Sequence, residues 1–272
     1  MPLTVTTRNA RFQVLQSLLT NRTKRTRAGE FLVQGVRPIT MAVEHGWEVR
    51  SLLYDGDRRL STWARRVLDG TPDAEHVRMS SSLLAELGEK GDGEVELLAV
   101  VAMPPDDLSR VPVDGDFLGV VLDRPSQPGN IGSVVRSADA FGAHGVITTG
   151  HGADAYDPRS VRASTGSLFA TPVVRVPSQR EVLTWVESCR AAGTPIVVVA
   201  TDENGDADLA DFDLTLPVLL LVGNEGSGLS RAWRDAADVT LQIPITGSAS
   251  SLNAANAASI ALYEARRQRL PQ

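Results

Sequence analysis

The sequence predicts an α/β protein of two domains, the second built on a parallel sheet. Segments with apolar residues at helical spacing alternate with short apolar runs of β type along most of the chain. The run at residues 117–122 is almost continuously apolar, as is typical of strands buried on both faces of a parallel sheet. A length of 272 residues also favours two domains, or one large α/β domain, over a single small core.

The first half of the chain predicts a small α/β domain over residues 1–103. An amphipathic helix is expected at residues 8–19, and a basic, irregular segment follows at 21–28. Strands are predicted at residues 31–33, 49–54, 77–79 and 97–102, and further helices at 37–45, 60–68 and 81–87. Residues 104–115 are polar and proline-rich without apolar periodicity, so we predict a linker there.

Basic residues are concentrated near the start of the chain, although the net charge of the whole is −6. Glu30 is the only acidic residue among the first 37. Such a run is either a solvated surface or a surface that contacts phosphates. If it binds RNA, the candidate contact residues are Arg8, Arg22, Lys24, Arg25, Arg27 and Arg37.

The second domain, predicted at residues 116–272, has the alternating pattern of a doubly wound parallel sheet. After the strand at 117–122, strands are predicted at 145–148, 173–176, 196–200, 218–222 and 239–243. Helices are predicted at 131–141, 180–192, 229–235 and 252–269. Because ligands bind outside the carboxyl ends of strands in such sheets, we expect the site on the loops that follow strands.

Two of these loops contain residues suited to binding. In the loop at 123–132, Asn130 caps or nearly caps the next helix, and Arg136 lies about one and a half turns further on. The turn at 223–228 is rich in glycine, so its main chain is able to approach a nucleotide closely. It lacks the G-x-G-x-x-G spacing of a dinucleotide site and the lysine of a Walker loop.

A third loop joins the strand that ends at Ile243 to the last helix. There Ser251 and Asn253 either cap the helix or leave its free N–H groups facing a ligand. The acidic loop that begins at Asp202 and Glu203 is predicted to be a solvated loop. Capping, surface pairing and ordinary turns remain sufficient explanations for each feature taken alone.

Other chemistries are excluded more simply. Cys189 is the only cysteine and lies in a helical pattern, which excludes a disulfide framework and a cysteine-based zinc site. The four histidines show no metal-ligand spacing, so no metal is expected. The chain begins without a signal-type apolar core and has no apolar run of about 18 residues, so we expect a cytoplasmic protein without a membrane segment.

In this order the three loops resemble the motifs of the SpoU (TrmH-like) branch of the SPOUT methyltransferases. These enzymes transfer a methyl group from S-adenosyl-L-methionine to a ribose 2′-hydroxyl in RNA. The motifs are N-I-G-S-V-V-R-S-A at 130–138, L-V-G-N-E-G at 221–226, and I-P followed by S-L-N within 243–253. The first hundred residues also resemble the recognition domain related to ribosomal protein L30e. The resemblance implies a trefoil knot and a homodimer whose sites are completed across the interface.

The resemblance also implies roles for individual residues. The catalytic set would be Asn130, Arg136, Glu225, Ser251 and Asn253, with Asn130 positioning the ribose and Glu225 orienting Arg136. Because a guanidinium stays protonated, we expect Arg136 to bind the target phosphate and stabilise developing alkoxide, with general-base action left open. Cofactor contacts are implied for Ala200, Thr201, Leu221, Gly223, Asn224, Glu225, Gly226, Ile243, Ser251 and Leu252.

The activity implied is ribose 2′-O-methylation of 23S rRNA, because the N-terminal domain favours structured rRNA over tRNA. Only two of the 27 basic residues are lysine, which suits a GC-rich antibiotic producer, and such bacteria protect their ribosomes with enzymes of this kind. We therefore expect a resistance role, of the avilamycin type. The alternatives are a tRNA 2′-O-methyltransferase and a non-catalytic rRNA-binding protein of the same fold. A dinucleotide-dependent oxidoreductase needs a glycine fingerprint that residues 123–132 do not supply.

Overall fold

The computed structural model describes residues 3–88 and 95–270, which form two compact units with one sheet each. The first unit contains the residues up to Pro104 together with the later segment Tyr156–Ala170. The second contains Pro105–Ala155 and the residues from Thr171 onward. The division falls within the predicted linker, whereas no pattern in the sequence indicated that Tyr156–Ala170 belongs to the first unit.

The first unit is organised around a mixed sheet of five strands in the order β1-β4-β3-β5-β2. The strands are β1 (Leu3–Val5), β2 (Glu30–Gln34), β3 (Val49–Asp55), β4 (Glu75–Met79) and β5 (Leu97–Ala102). Strand β4 is parallel to β1 and β3, and β5 is antiparallel to β2 and β3. The helices are α1 (Ala10–Thr20), α2 (Arg22–Ala28), α3 (Val36–Glu44), α4 (Thr62–Gly70) and α5 (Ser81–Leu87).

Helix α2 replaces the irregular segment that the sequence predicted at 21–28, so that prediction was wrong. Asn21 begins the helix, since its side-chain oxygen accepts a hydrogen bond from the Lys24 N–H at 3.0 Å. Gly29 ends the helix in the left-handed conformation, with φ of 64°. The helix is defined by its two caps and has no apolar stripe, which explains why a search for apolar periodicity overlooks it.

The second unit has a sheet of seven parallel strands in the order β10-β12-β9-β11-β6-β7-β8. The strands are β6 (Leu118–Asp123), β7 (Gly145–Thr149), β8 (Val173–Val176), β9 (Val197–Thr201), β10 (Ala207–Asp208), β11 (Val218–Val222) and β12 (Val239–Gln242). The remaining helices are α6 (Pro128–Ala140), α7 (Pro158–Ser164), α8 (Gln179–Ala191), α9 (Arg231–Ala236) and α10 (Ala254–Gln268), of which α7 belongs to the first unit. The predicted parallel sheet is confirmed; β10 and α7 were not predicted.

Strand order in this sheet brings the ends of four strands together. Leu122 at the end of β6 pairs with Val222 at the end of β11. Strand β11 also pairs with β9, and β9 pairs with β12. Because the strands are parallel, the loops after β6, β9, β11 and β12 leave the same edge of the sheet, which is where the predicted motifs lie.

The segment Tyr156–Ala170 packs into the first unit through aromatic and polar contacts. The ring of Tyr156 lies 4.8 Å from the ring of Phe31 on β2. The Trp47 indole N–H donates to the backbone oxygen of Phe169 at 3.0 Å. Arg37 Nε donates to the backbone oxygen of Thr165 at the same distance, 3.0 Å. These contacts make a distant stretch of sequence part of the core of the first unit.

The carboxyl end of α10 is held by Arg269. Its guanidinium donates to the backbone oxygens of Leu214 at 2.9 Å, Leu216 at 2.7 Å and Phe117 at 3.2 Å, and also to that of Asp116. These oxygens belong to the segments that enter β6 and β11. One side chain therefore joins the last helix to two neighbouring strands at the edge opposite the predicted site.

Candidate cofactor and catalytic site

A cavity of about 490 Å³ lies at the carboxyl edge of the parallel sheet in the second unit. Its walls come from the loops after β9, β11 and β12 and from the first turn of α10. The volume lies within the range of roughly 300 to 1,000 Å³ that is typical of small-molecule sites. The position is the one expected from the general rule for open parallel sheets.

Eight of the ten residues predicted to bind cofactor line this cavity. They are Thr201, Gly223, Asn224, Glu225, Gly226, Ile243, Ser251 and Leu252. The other two, Ala200 and Leu221, are fully buried partners in adjacent strands. The Leu221 backbone oxygen accepts a hydrogen bond from Thr201 Oγ1 at 2.8 Å, so buried Leu221 helps to hold Thr201, which lines the cavity.

The glycine-rich turn after β11 is shaped by Asn224 and by the close approach of its own backbone. Asn224 Oδ1 accepts hydrogen bonds from the N–H groups of Gly226 at 2.9 Å and Ser227 at 3.1 Å. A Cβ atom added to Gly223 would lie 2.5 Å from the Gly228 carbonyl carbon and the Leu229 nitrogen. Only glycine fits there, and the turn therefore presents main chain to the cavity.

The loop after β6 is attached to this turn by Arg124. Arg124 has φ of 50°, which is a strained conformation for a residue with a side chain. Its backbone oxygen accepts from Asn224 Nδ2 at 2.7 Å, and its Nη2 donates to the Gly228 backbone oxygen at 3.1 Å. The guanidinium also binds Asp123, which is 4% exposed and accepts from the Ser230 N–H at 2.7 Å.

Glu225 connects the first motif to the second. Its Oε1 accepts from Asn130 Nδ2 at 2.7 Å, and its Oε2 accepts from Ser126 Oγ at 2.5 Å and from the Ser126 N–H at 3.2 Å. Partial burial alone would raise the pKa of the Glu225 carboxyl, but the hydrogen bonds from Ser126 and Asn130 outweigh it and hold the pKa below its usual value. The group is therefore a carboxylate at neutral pH.

Asn130 and Asn253 connect the first motif to the third. Asn253 Nδ2 donates to Asn130 Oδ1 at 3.3 Å. Asn253 Oδ1 accepts from the N–H groups of Ala255 at 2.9 Å and Asn256 at 3.4 Å, which makes Asn253 the N-cap of α10. Glu225, Asn130 and Asn253 therefore form one hydrogen-bonded chain through all three motifs, as their predicted common site requires.

Arg136 occupies an exposed position on α6 and does not line the cavity. Within residues 3–88 and 95–270, its side chain forms no hydrogen bond or ion pair. The carboxylate of Glu225, which we expected to orient Arg136, is instead bound by Ser126 and Asn130. Within the described residues of one chain, no hydrogen bond or ion pair joins Arg136 to Glu225, so the orienting role of Glu225 stays a prediction.

The structure separates the predicted RNA-contacting residues into two groups. Arg25 is only 2% exposed, and its Nη1 donates to the backbone oxygens of Leu18 at 2.8 Å and Leu19 at 3.0 Å. Its Nη2 lies 3.7 Å from Asp157 Oδ2 in the same unit. The prediction that Arg25 contacts phosphate is therefore incorrect, because its guanidinium is used inside the fold.

The other predicted RNA contacts are at least partly accessible. Lys24 and Arg27 are exposed on α2, and Arg22 is half-buried at its start. Arg8 is 71% exposed but forms an ion pair with Glu86 at 2.9 Å. Arg37 is exposed, with one guanidinium nitrogen bound to the Thr165 oxygen noted above. Lys24 and Arg27 are thus the most available cations of this set.

Sequence reasoning missed several residues that line the cavity or support it. Asp202, Glu203 and Asn204 line it, although this loop was predicted to be only solvated. Arg234 also lines it, and its Nη1 donates to the Leu229 backbone oxygen at 2.6 Å. The acidic loop was detectable, because it follows β9 and so leaves the same edge as the motifs.

Two classes of site are not found in the described ranges 3–88 and 95–270. No three or more histidine, cysteine, aspartate or glutamate side chains there are grouped as metal ligands. No helix in those ranges is both long enough and apolar enough to cross a bilayer.

Comparison with known proteins gives a consistent result over the whole chain. The model of the SpoU rRNA Methylase family matches residues 118–263, and that of the SpoU L30e-like domain matches residues 9–99. The chain is 66% identical over 266 residues to the 23S rRNA (uridine(2479)-2′-O)-methyltransferase of Streptomyces viridochromogenes, covering 98% of this chain and 92% of the relative.

Solved structures agree with these matches. The SpoU methyltransferase AviRb from Streptomyces viridochromogenes, in complex with the cofactor AdoMet, superposes with a TM-score of 0.93 at 66% identity, covering 96% of this chain and 98% of that one. An AdoMet-bound rRNA methyltransferase from Sinorhizobium meliloti gives a TM-score of 0.87 at 30% identity, covering 98% of each chain. The likeness therefore extends over both units.

Proposed function

Because this chain belongs to the SpoU rRNA methylase family, we propose that it methylates a uridine ribose 2′-hydroxyl in 23S rRNA, using S-adenosyl-L-methionine. The observation that carries the proposal is the hydrogen-bonded chain of Glu225, Asn130 and Asn253 beside the cavity. It unites three motifs that are separate in sequence at one edge of the sheet. The target class comes from the Streptomyces viridochromogenes relative, whose match covers nearly the whole chain.

The cavity fits the cofactor in size and in chemistry. Its volume of about 490 Å³ suits a nucleoside with an amino-acid tail. The close backbone at Gly223 offers main-chain groups to an adenine, and Ile243 and Leu252 offer apolar surface to its faces. Asp202 and Glu225 line the cavity and supply negative charge that suits a ligand with a positively charged sulfonium group. When bound, S-adenosylmethionine supplies an electrophilic methyl group on a sulfonium centre.

The residues of the chain must then align the ribose and manage charge on its oxygen. In the transfer the ribose 2′-oxygen would bond to the methyl carbon while the bond from that carbon to sulfur breaks with its electrons left on sulfur, and the 2′-hydroxyl proton would pass to water. We assign Asn130 to hold the ribose, since Glu225 and Asn253 fix its amide. We assign Arg136 to bind the target phosphate and stabilise charge on the ribose oxygen, because its guanidinium is exposed and unpaired within the described residues.

We further propose that the active form is a homodimer in which Arg136 serves the cavity of the second copy. Arg136 lies outside the lining of the cavity of its own chain. Helix α10 also carries an exposed apolar surface that includes Ile260, 40% exposed, and Tyr263, 55% exposed. The Tyr263 ring packs edge-on against Phe141 at 5.8 Å. Large apolar side chains exposed together are typical of interfaces between subunits.

The dimer proposal is tested by mixing two inactive variants, Arg136→Ala and Glu225→Gln. A mixed dimer would contain one site with an intact cavity from one chain and an intact arginine from the other. We expect mixing to restore up to a quarter of the parent activity per chain, since random pairing makes about half of the dimers mixed and each has one intact site. Failure of the mixture to recover activity, although both variants are dimers by light scattering, would place Arg136 in the site of its own chain.

Three other features belong to the same proposal. The family resemblance supports a trefoil knot in the second unit, formed by the segments that surround the cavity. The substrate supports a cytoplasmic location, where ribosomes lie.

We also propose that methylation protects ribosomes from avilamycin. Expressing the gene in a susceptible host should raise the inhibitory concentration of avilamycin. An unchanged inhibitory concentration with fully methylated rRNA would contradict the proposal.

The methyltransferase proposal itself is tested by mapping 2′-O-methylation on unmodified 23S rRNA. The substrates are the rRNA, the large subunit and a tRNA pool, each incubated with protein and labelled S-adenosylmethionine. We expect a single labelled uridine in 23S rRNA, and Arg136→Ala should lower its methylation by about 100-fold while cofactor binding is retained. The matched control is Arg180→Ala, since Arg180 is an exposed arginine on α8. Labelling of tRNA alone would favour the tRNA alternative, and absence of cofactor binding would favour a non-catalytic rRNA-binding protein.

A further inference from the structure

We propose that Ser126 is a positioning residue for methyl transfer, because it holds the Glu225 carboxylate in the orientation that fixes the amide of Asn130. Ser126 lies in the loop after β6 and does not line the cavity. The inference rests on the proposed function, in which Asn130 holds the ribose. It adds a residue that acts only through Glu225.

The two oxygens of the Glu225 carboxylate accept hydrogen bonds from different residues. Ser126 gives Oε2 two donors, its hydroxyl at 2.5 Å and its backbone N–H at 3.2 Å. Oε1 is left to accept from Asn130 Nδ2 at 2.7 Å. A carboxylate only accepts hydrogen bonds, so the Asn130 amide must turn its nitrogen toward Glu225 and its oxygen toward Asn253. The polarity of the Asn130 amide is therefore set by the carboxylate that Ser126 holds.

Ser126 is itself placed by contacts on the preceding residues. The Arg124 backbone oxygen accepts from Asn224, and the Arg124 side chain donates to the Gly228 oxygen. The Pro125 backbone oxygen accepts from the Ala153 N–H at 2.6 Å, and Pro125 is buried. The hydroxyl donor is thus fixed before substrate binds, which is what an oriented active-site group requires.

The charge on Glu225 depends on the same donors. Burial alone would raise the pKa of Glu225. The hydrogen bond from the Ser126 hydroxyl, followed by that from Asn130, lowers the pKa below its usual value. Without the hydroxyl, the carboxyl would take up a proton at higher pH. A protonated Glu225 can present an O–H donor, and it would no longer force the Asn130 nitrogen to face it. Removal of the Ser126 hydroxyl is therefore expected to change the pH dependence of transfer as well as its rate.

The test compares Ser126→Ala with Ser126→Thr, which keeps a hydroxyl, and with Ser188→Ala as a matched control. Ser188 lies on α8 and its hydroxyl donates to the Thr184 backbone oxygen of the same helix. Single-turnover transfer to 23S rRNA is measured against pH at saturating S-adenosylmethionine, and cofactor affinity by calorimetry. For Ser126→Ala we expect transfer to slow roughly tenfold and its acid limb to move to higher pH, with cofactor affinity little changed. Ser126→Thr should recover most of the rate, and Ser188→Ala should match the parent.

Two results would overturn the inference. One is a Ser126→Ala protein with the rate and acid limb of the parent. The other is a Ser126→Thr protein as slow as Ser126→Ala at every pH, which would indicate a structural role. Asn130→Ala separates this failure from failure of the proposed function. If Asn130→Ala is inactive while Ser126→Ala is normal, only the role of Ser126 falls; if Asn130→Ala transfers methyl normally, the assignment of the whole site falls.

Discussion

Replacing Arg269 by methionine should destabilise the second unit without altering the cavity. The guanidinium binds the backbone oxygens of Leu214 and Phe117 in partly buried surroundings, and those of Leu216 and Asp116 in exposed ones. Each of the two partly buried bonds contributes about 1 to 1.5 kcal/mol, whereas water replaces most of an exposed one, so the expected loss of stability is about 2 to 3 kcal/mol. For a unit of this size that loss lowers Tm by about 4 to 12 °C.

The matched control is Arg266→Met, since Arg266 is an exposed arginine on the same helix, three residues before Arg269. Thermal unfolding is followed by calorimetry with and without S-adenosylmethionine, and cofactor affinity is measured well below the unfolding transition. We expect Arg269→Met to unfold at a lower temperature than Arg266→Met, with both binding cofactor like the parent. Equal melting temperatures for the two variants would refute the reasoning, because the backbone oxygens would then gain nothing from the guanidinium that water does not supply.

Three further predictions concern the first unit. Replacing Lys24 and Arg27 by alanine should weaken rRNA binding and reduce the slope of log affinity against log salt by about 0.7 to 0.9 for each phosphate that the protein no longer neutralises. Binding is measured by filter binding, and the control is the double variant Arg65→Ala, Arg66→Ala on α4. A slope equal to that of the control would mean that Lys24 and Arg27 face only water. Arg25→Met should lower unfolding stability more than Lys24→Met, since it leaves the oxygens of Leu18 and Leu19 without their donor; equal denaturation midpoints would contradict this. Burial alone would raise the pKa of Asp157, but bonds to Arg159 and the charge of Arg25 hold the pKa below its usual value, so its stabilising effect is present at neutral pH and is lost as pH falls below about 4. The stability difference between the parent and Asp157→Asn should therefore shrink on acidification, and a difference independent of pH would exclude this linkage.

The sequence predicts the second unit well because each of its main strands is a strong local signal. Strand β11, with Leu219 to Leu221 fully buried, has the continuous apolar pattern that only a two-sided burial explains. Its loops then share an edge by the geometry of parallel strands, so most of the cavity follows from the sequence. The resemblance supplied the choice of residues such as Gly223 and Leu252, which local patterns alone did not distinguish from an ordinary turn and a helix start.

The failures have physical causes of a different kind. Burial of Arg25 depends on carbonyls of α1 and on Asp157, which lies more than a hundred residues away. Helix α2 depends on its caps at Asn21 and Gly29. The partners of Glu225 depend on the course of the loop after β6. In this loop Arg124 has a φ of 50°, which local preference does not favour for a residue with a side chain. The burial of Arg25 and the partners of Glu225 are decided by tertiary contacts that a linear pattern does not contain, whereas the caps of α2 are local signals that apolar periodicity does not detect.

The inclusion of Tyr156–Ala170 in the first unit has a consequence for synthesis on the ribosome and for protein engineering. The N-terminal module is incomplete until its last fifteen residues, including α7, have emerged, well after β6 and β7 of the following module. The first unit therefore cannot finish folding before synthesis of the second unit has begun, as it would in a chain whose domains follow one another. A chimera made with one crossover near Pro104 would combine residues 1–104 of one parent with the α7 of another, so exchanging the first unit between relatives requires transplanting both stretches together.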